Sequence, residues 1–236
     1  MSSIIETISM PLDKAFTFVH SFYPLPKEDF LILICSFWCW TLGYMVLFAY
    51  LPLEYFGKPK KLILKPQDDL DVRNRLPAIF HGSTLFLLSA NLYYRFPGGC
   101  GDENSLYAKR LIYFAVGYFQ YDFWAMVYYG LIDGAMTMHH WACIIGMSLP
   151  LTYGMSANYI VMGMFVAEGS NAFMHIRAIL RHFGLRFTKL YEFIEISFMT
   201  IYIFCRIFLG ARLVWRTCLC EHNHIVSKIA AVGLIF

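Results

Sequence analysis

Residues 117–176 form an apolar stretch that nevertheless carries acids and imidazoles. The stretch contains the segments GYFQYDFWAMVYYG, MTMHHWACIIG and NYIVMGMFVAEGSNAFMHI. An ionisable group inside hydrocarbon is costly, so it normally faces the interior of a helix bundle, where it has a partner or a function. We therefore predict that the polar side chains of this stretch look onto one shared chamber. They are Asp122, His139, His140, Glu168, Asn171 and His175.

The composition is that of a membrane protein. Apolar residues make up 58% of the chain and charged residues only 15%, whereas about a quarter of a soluble domain is charged. The formal net charge of +3 is too small and too scattered to indicate a nucleic-acid partner. The sequence also lacks a Walker loop, a nucleophile elbow and a Rossmann fingerprint, which gives nucleotide chemistry no support.

The apolar runs predict an all-α, polytopic bundle of six to seven transmembrane helices. Residues 30–53 are uncharged and long enough to cross about 30 Å of hydrocarbon. We expect an extramembrane segment at 1–29, a transmembrane domain at 30–236 and a surface loop between the first two spans. The predicted spans are 30–53, 76–96, 111–132, 137–154, 158–176 and 190–215, with a partial span at 225–236.

The two ends of the chain and its loops give further expectations. Residues 1–29 lack the features of a cleavable signal or a transit peptide, so the first span is expected to act as the targeting signal. The partial span is too short to cross, which favours a chain that continues beyond it. Basic residues are densest in the first loop, which therefore faces the cytosol or matrix.

Three polar residues of the fifth predicted span share one face. Glu168, Asn171 and His175 stand at i, i+3 and i+7, so a continuous helix presents them as one stripe. His139 and His140 are about 100° apart around a helix and can border one cavity. An imidazole oriented by Glu168 or Asp122 suits general acid–base work. Interhelical hydrogen bonding and interfacial placement are the structural alternatives.

Other polar residues extend this picture. His81 lies in the second predicted span and Arg206 in the sixth, where structural pairing with Asp122 or Glu168 would neutralise the guanidinium. The seven cysteines predict neither a disulfide scaffold nor a redox compartment. No metal site is expected; a weak candidate is the alternating set Cys218, Cys220, His222 and His224.

Five segments, in order, resemble the TLC-domain proteins, the family of ceramide synthases, translocon-associated membrane proteins and smaller lipid-linked relatives. They are RLPAIFHGSTLFLLS, GYFQYDFWAMV, MTMHHWACI, EGSNAFMHIRAIL and IFCRIFLGARL. The resemblance covers about residue 70 to the end and implies membrane helices around an acyl-chain cavity. It also implies that His139 and His140 match the synthases' histidine pair, while Glu168 and Asn171 stand where those enzymes have aspartates. An amide cannot exchange a proton as a carboxylate can, which argues against the synthases' chemistry here. The Glu-x-Ser-Asn form at residues 168–171 looks more like the smaller relatives.

Three functions follow as alternatives. The first is a lipid-handling protein without ceramide synthase activity, with a phospholipid or acyl chain in a cavity lined by His81, Asp122, Asn171, His175 and Arg206. The second is an accessory subunit of a larger membrane complex. The third is an acyl-CoA-dependent acyltransferase with His139, His140 and Glu168 as catalytic residues. No resident cofactor is expected, and the partners are membrane lipids and other membrane subunits. The expected location is the endoplasmic reticulum membrane, with the mitochondrial inner membrane as the alternative.

Overall fold

The computed structural model describes residues 2–22, 24–95 and 98–235, and within them the protein is all-α, with no strand. Short loops join ten α-helical segments, and π-helical turns extend two of them. The helices are α1 (Ser2–Phe22), α2 (Lys27–Gly43), α3 (Pro66–Arg95), α4 (Leu106–Tyr128), α5 (Gly134–Tyr153), α6 (Ala157–Glu168), α7 (Asn171–His182), α8 (Lys189–Tyr202), α9 (Ala211–Leu219) and α10 (Ile225–Ile235).

Two helices of the described part are long and apolar enough to cross a membrane by length and composition. They are Lys27–Phe48, in which α2 continues through a π turn, and Lys189–Leu219, in which a π stretch at Ile203–Gly210 joins α8 to α9. The predicted spans at 30–53 and 190–215 fall largely within these two helices. The number of spans in the remaining bundle stays a prediction.

The bundle core forms where α4 packs against α2, α3 and α5. Gly117 of α4 allows a close approach to α2, because a Cβ there would lie 2.9 Å from the backbone carbonyl carbon of Ser36. The Trp40 indole donates a hydrogen bond to the Phe114 carbonyl oxygen at 3.1 Å across the same contact. A small residue at such a contact lets two helix backbones approach closely, as is common in membrane bundles.

Helix α3 begins ten residues before its predicted start at residue 76, so much of the expected surface loop is helical. Pro66 opens the helix with its φ already helical, and two acids follow in the first turn, where the helix dipole favours them. Ion pairs one turn apart join Asp69 to Arg73 and Asp71 to Arg75. The helix extends beyond its apolar part because these pairs stabilise the charged first turns.

The fifth predicted span, 158–176, is broken into α6 and α7. A Cβ on Gly169, between the two helices, would lie 2.8 Å from Cys205 Sγ, so only glycine fits against the π stretch. The far end of α7 is anchored to the start of α3 by a 2.7 Å hydrogen bond between His182 Nε2 and Asp71 Oδ2. The predicted single stripe of polar residues is therefore divided between two helices.

A disulfide joins Cys100, in the loop before α4, to Cys220, in the loop after α9. The sequence analysis does not predict this bond, because the two cysteines are 120 residues apart in sequence and only the bundle brings them together. The loop around Cys100 is also tied to the α5–α6 corner. There, Asn104 donates to the Pro150 carbonyl and accepts from the Ala157 amide, at 2.6 and 2.9 Å.

Replacing Cys220 with serine is expected to lower the free energy of unfolding by about 2–5 kcal/mol, because a native disulfide that closes a long loop restricts the unfolded chain. Thermal unfolding in detergent, with and without reductant, measures the loss. Cys218→Ser is the matched control, since Cys218 is a free, exposed thiol two residues away. Equal stability of the two variants would contradict the prediction.

Candidate functional site

A cavity of about 120 Å³ lies between α5, α6, the π stretch with α9, and α10. His139 and Tyr153, near opposite ends of α5, both line it, so it extends over roughly 21 Å at 1.5 Å per helical residue. Its middle is apolar, and the lining there includes Cys143, Gly146, Met147, Ile160, Gly163 and Met164. Polar side chains lie at both ends.

One end of the cavity, here called the glutamate end, brings together four of the residues singled out in the sequence. Glu168 is buried there and accepts a hydrogen bond from the Asn171 amide at 2.8 Å. His139 and Arg206 line the same end, and an Arg206 Nη2 donates to the Ala167 carbonyl oxygen at 3.4 Å. A carboxylate, an amide, a guanidinium and an imidazole thus surround one end of an apolar tunnel.

Glycines and a π stretch position three of these four groups. A Cβ on Gly82 of α3 would lie 2.8 Å from Glu168 Oε2, so the glycine makes room for the buried carboxylate. Asn171 begins α7 just after the break at Gly169, which leaves its amide beside the glutamate. Arg206 lies within the π stretch, an irregularity that is frequent at functional sites.

The second histidine of the pair belongs to a separate buried network. His140 Nε2 lies 2.8 Å from Asp122 Oδ2, and Nδ1 lies 2.8 Å from the Met136 carbonyl oxygen. The other Asp122 oxygen accepts from Asn74 Nδ2 at 2.8 Å, and the Tyr121 hydroxyl donates to Asn74 Oδ1 at 3.4 Å. This network joins α3, α4 and α5 and does not line the cavity.

The network determines what His140 can do. A carbonyl oxygen only accepts hydrogen bonds, so Nδ1 of His140 carries a proton, and Nε2 faces the Asp122 carboxyl group. Both ring nitrogens are therefore occupied by protein groups. His140 can hold α5 in place, whereas His139 is the member of the pair that faces the cavity.

Two further histidines lie in other surroundings. The His81 ring is buried and stacks on Tyr118 at 3.9 Å between centroids, and its Nε2 has no hydrogen-bond partner among the described residues. His175 Nδ1 lies 3.5 Å from Arg75 Nη1. Neither residue lines the cavity. Of the predicted polar lining, Asn171 and Arg206 reach the cavity, and His81, Asp122 and His175 do not.

The weak zinc candidate is wrong, because Cys220 is bonded to Cys100 and has no thiolate to offer. Cys218 is an exposed free thiol, and no group of three metal-ligating side chains forms within the described ranges. His222 and His224 instead line the cavity at the end opposite the glutamate. Asp122, one of the two carboxylates expected to pair with Arg206, lies 2.8 Å from His140 Nε2.

Sequence reasoning missed Asn74, Cys100 and Ser156. Asn74 was assigned to a loop because charged residues surround it. Cys100 lies in the turn cluster PGGCG, which predicts a loop and does not indicate a disulfide. Ser156 carries no sequence signal, and its left-handed backbone appears only in the structure.

Comparison with known families identifies a match. The model of the TLC domain matches residues 71–236, more than two thirds of the chain, from the first turns of α3 onward. A search of curated proteins finds no match for the chain. The matched range contains the cavity, the buried network and both cysteines of the disulfide.

Proposed function

This chain belongs to the TLC-domain family of membrane proteins, and we propose that it holds the acyl chain of a membrane lipid in the cavity between α5, α6, α9 and α10. The observation that carries the proposal is the apolar middle of this cavity, bounded by the glutamate end. One leaflet occupies half of the ~30 Å hydrocarbon core, and the cavity's length of roughly 21 Å exceeds that depth.

The cavity must widen to take a complete chain. Its volume of about 120 Å³ is below the ~300–1,000 Å³ of typical small-molecule sites. Met147 and Met164 line its walls, and methionine side chains adapt readily because they are unbranched and flexible. We propose that these side chains move aside when a lipid enters.

The glutamate end is the proposed position of the lipid head group. Arg206 and Asn171 offer hydrogen-bond donors to phosphate or ester oxygens, and His139 offers a nitrogen that can donate or accept. Glu168 favours a head group that carries a cationic or hydroxyl group beside those oxygens. This arrangement fits a phospholipid better than a simple hydrocarbon.

Acyl transfer is the second candidate, and the placement of His139 is the observation that favours it. His139 faces the cavity at the same end as Glu168, so it could take a proton from an amine or hydroxyl while an acyl thioester occupies the tunnel. An amide at Asn171 and the full occupation of His140 weigh against this chemistry. We therefore rank lipid binding first. In the acyl-transfer candidate, acyl-CoA is the donor.

Native mass spectrometry of the detergent-extracted protein tests both candidates. Lipid binding predicts a co-purifying phospholipid that is reduced in His139→Ala and Glu168→Gln; catalysis predicts acyl-CoA turnover that the same variants abolish. Pro52→Ala, outside the cavity, is a control for extraction. A chain that co-purifies only with other membrane proteins, with no lipid, would favour the accessory-subunit function instead.

We also propose six to seven membrane spans over residues 30–236, the last of which contains α10, and we place α1 outside the hydrocarbon. The end that bears Cys100–Cys220 is assigned to the lumen of the endoplasmic reticulum, because disulfides persist in oxidising compartments. The first loop, with Lys58, Lys60 and Lys61, then faces the cytosol, as the positive-inside tendency expects.

A glycosylation acceptor inserted between Gly98 and Asp102 is expected to be modified in cells, because only the lumen of the secretory pathway provides that reaction. The same insertion between Lys58 and Lys61 is the control and should stay unmodified. A mobility shift removed by a glycosidase measures the outcome. Modification of the second insertion alone would show that the first loop lies in the lumen, opposite to the proposed orientation. Modification of neither insertion would favour the mitochondrial inner membrane.

A further inference from the structure

The cavity end opposite the glutamate, here called the serine end, has its own polar lining. Six polar side chains contribute to it: Ser156, Thr217, His222, Asn223, His224 and Ser227. No aspartate, glutamate, lysine or arginine lines this end within the described ranges. Ser156 precedes α6 and Glu168 ends it, so the two polar ends are separated by about 18 Å.

Ser156, at this end, has an unusual backbone conformation. Its φ of 70° lies in the left-handed region, and it is the only described residue other than glycine with a positive φ. Such a backbone costs about 1–3 kcal/mol and persists where the surroundings hold it. Its amide donates to the Asp102 carbonyl at 3.0 Å, and its carbonyl accepts from the Tyr159 amide at 3.1 Å.

The Ser156 hydroxyl is a buried polar group at this end of the cavity. Its oxygen is buried and forms no hydrogen bond with any described residue, although nearly all buried hydroxyls have at least one partner. The side chain lines the cavity. A strained backbone therefore holds an unsatisfied hydroxyl within the wall of an apolar tunnel, where a ligand oxygen can reach it once the tunnel widens to take a chain.

The surrounding loops fix this hydroxyl in place. The Cys100–Cys220 disulfide holds the loop before α4 against the loop after α9, so closely that a Cβ on Gly101 would lie 2.6 Å from His222 Cδ2. A bridge between Glu103 and Met155 ties the first of these loops to the corner that carries Ser156. The buried Asn223 donates to the Thr217 carbonyl at 3.1 Å and closes the end beside α10.

We infer that the serine end binds an uncharged oxygen at the far end of the ligand's chain, so that the preferred ligand is an amphiphile oxygenated at both ends. The inference rests on the proposed function, in which the head group lies at the glutamate end. Hydroxyl and carbonyl groups fit because, among the described residues, no Asp, Glu, Lys or Arg side chain lines the serine end. The distance between the two oxygen sites is about 18 Å, which sets the length of the chain.

Binding of two lysophosphatidylcholines tests this inference, one with a palmitoyl chain and one with an ω-hydroxypalmitoyl chain. The wild-type protein in detergent should bind the ω-hydroxy lipid about three- to tenfold more tightly, the gain expected from one net hydrogen bond. Ser156→Gly should abolish that preference, so that the two lipids bind with equal affinity. The glycine removes the hydroxyl and suits the positive φ, so the variant should fold.

Ser21→Gly, an exposed site on α1 outside the cavity lining, is the matched control and should keep the preference. Equal binding of the two lipids by the wild-type protein would overturn the inference and leave the proposed function standing. A preference that persists in Ser156→Gly would overturn the role of this hydroxyl. Absence of binding for both lipids would overturn the proposed function and the inference together.

Discussion

Replacing Asp122 with alanine is expected to lower the free energy of unfolding by about 3–5 kcal/mol, because the change leaves buried partners without a counterpart. His140 Nε2 and Asn74 Nδ2 both contact this carboxyl group at 2.8 Å. His140 is 1% exposed, so water cannot replace the lost hydrogen bonds. The loss also loosens the contact of α4 with α3 and α5, which positions the helix that carries His139.

Asp122→Asn is the matched variant and should cost less than about 1.5 kcal/mol. The introduced amide has the shape of the carboxyl group; its oxygen can accept from Asn74, and its nitrogen can donate to Nε2 of a neutral His140. Thermal unfolding followed by tryptophan fluorescence in detergent compares the two variants. Equal destabilisation by Asp122→Ala and Asp122→Asn would mean that the network requires the negative charge. If Asp122→Ala did not destabilise the protein, the stabilising role of the network would be contradicted.

Replacing Gly163 with phenylalanine is expected to remove lipid binding almost completely, with a loss of about a hundredfold or more in affinity. Gly163 lines the middle of the cavity, and the nearest atom to a Cβ there is Leu213 Cδ2 at 3.8 Å. An aromatic ring can therefore enter the tunnel without a backbone clash. It would fill the space proposed for the chain and leave both polar ends intact.

Gly43→Phe is the control for this substitution, since a Cβ on Gly43 meets no atom within 4 Å and the residue lies on α2, away from the cavity. Titration with a fluorescent phospholipid measures both variants, and the unfolding temperature checks that both are folded. Unchanged binding by Gly163→Phe would show that the lipid does not use the tunnel. Equal loss in both variants would indicate a general effect on the protein.

Local sequence pattern predicted much of the helical fold. The uninterrupted apolar run at 30–53 corresponds to α2 and its π turn, because such a run has no alternative in a membrane. The charged start of α3 was missed, because hydropathy locates the apolar part of a helix and does not show how far the helix extends beyond it. The break after Glu168 was missed because the apolar pattern runs across it, and the close packing of Gly169 near Cys205 Sγ involves a distant part of the chain.

The candidate site could be predicted as a set of residues but not as an arrangement. Burial of Glu168 and its contact with Asn171 follow from their i, i+3 spacing, which survives the break in the helix. Which histidine of the pair faces the cavity depends on Asn74 and Asp122, which come from other helices. Ser156 and the disulfide depend on loop contacts between distant parts of the chain.

The most direct test of the central claim, that an acyl chain lies inside the bundle, is photocrosslinking with a phospholipid that carries a diazirine on its chain. Peptide mapping after irradiation locates the labelled residues. The account predicts labels on the cavity walls of α5, α6 and α10, at residues such as Met147, Ile160 and Ala231. Labels confined to the exposed faces of α2 and α8, at residues such as Trp38 and Phe193, would contradict it.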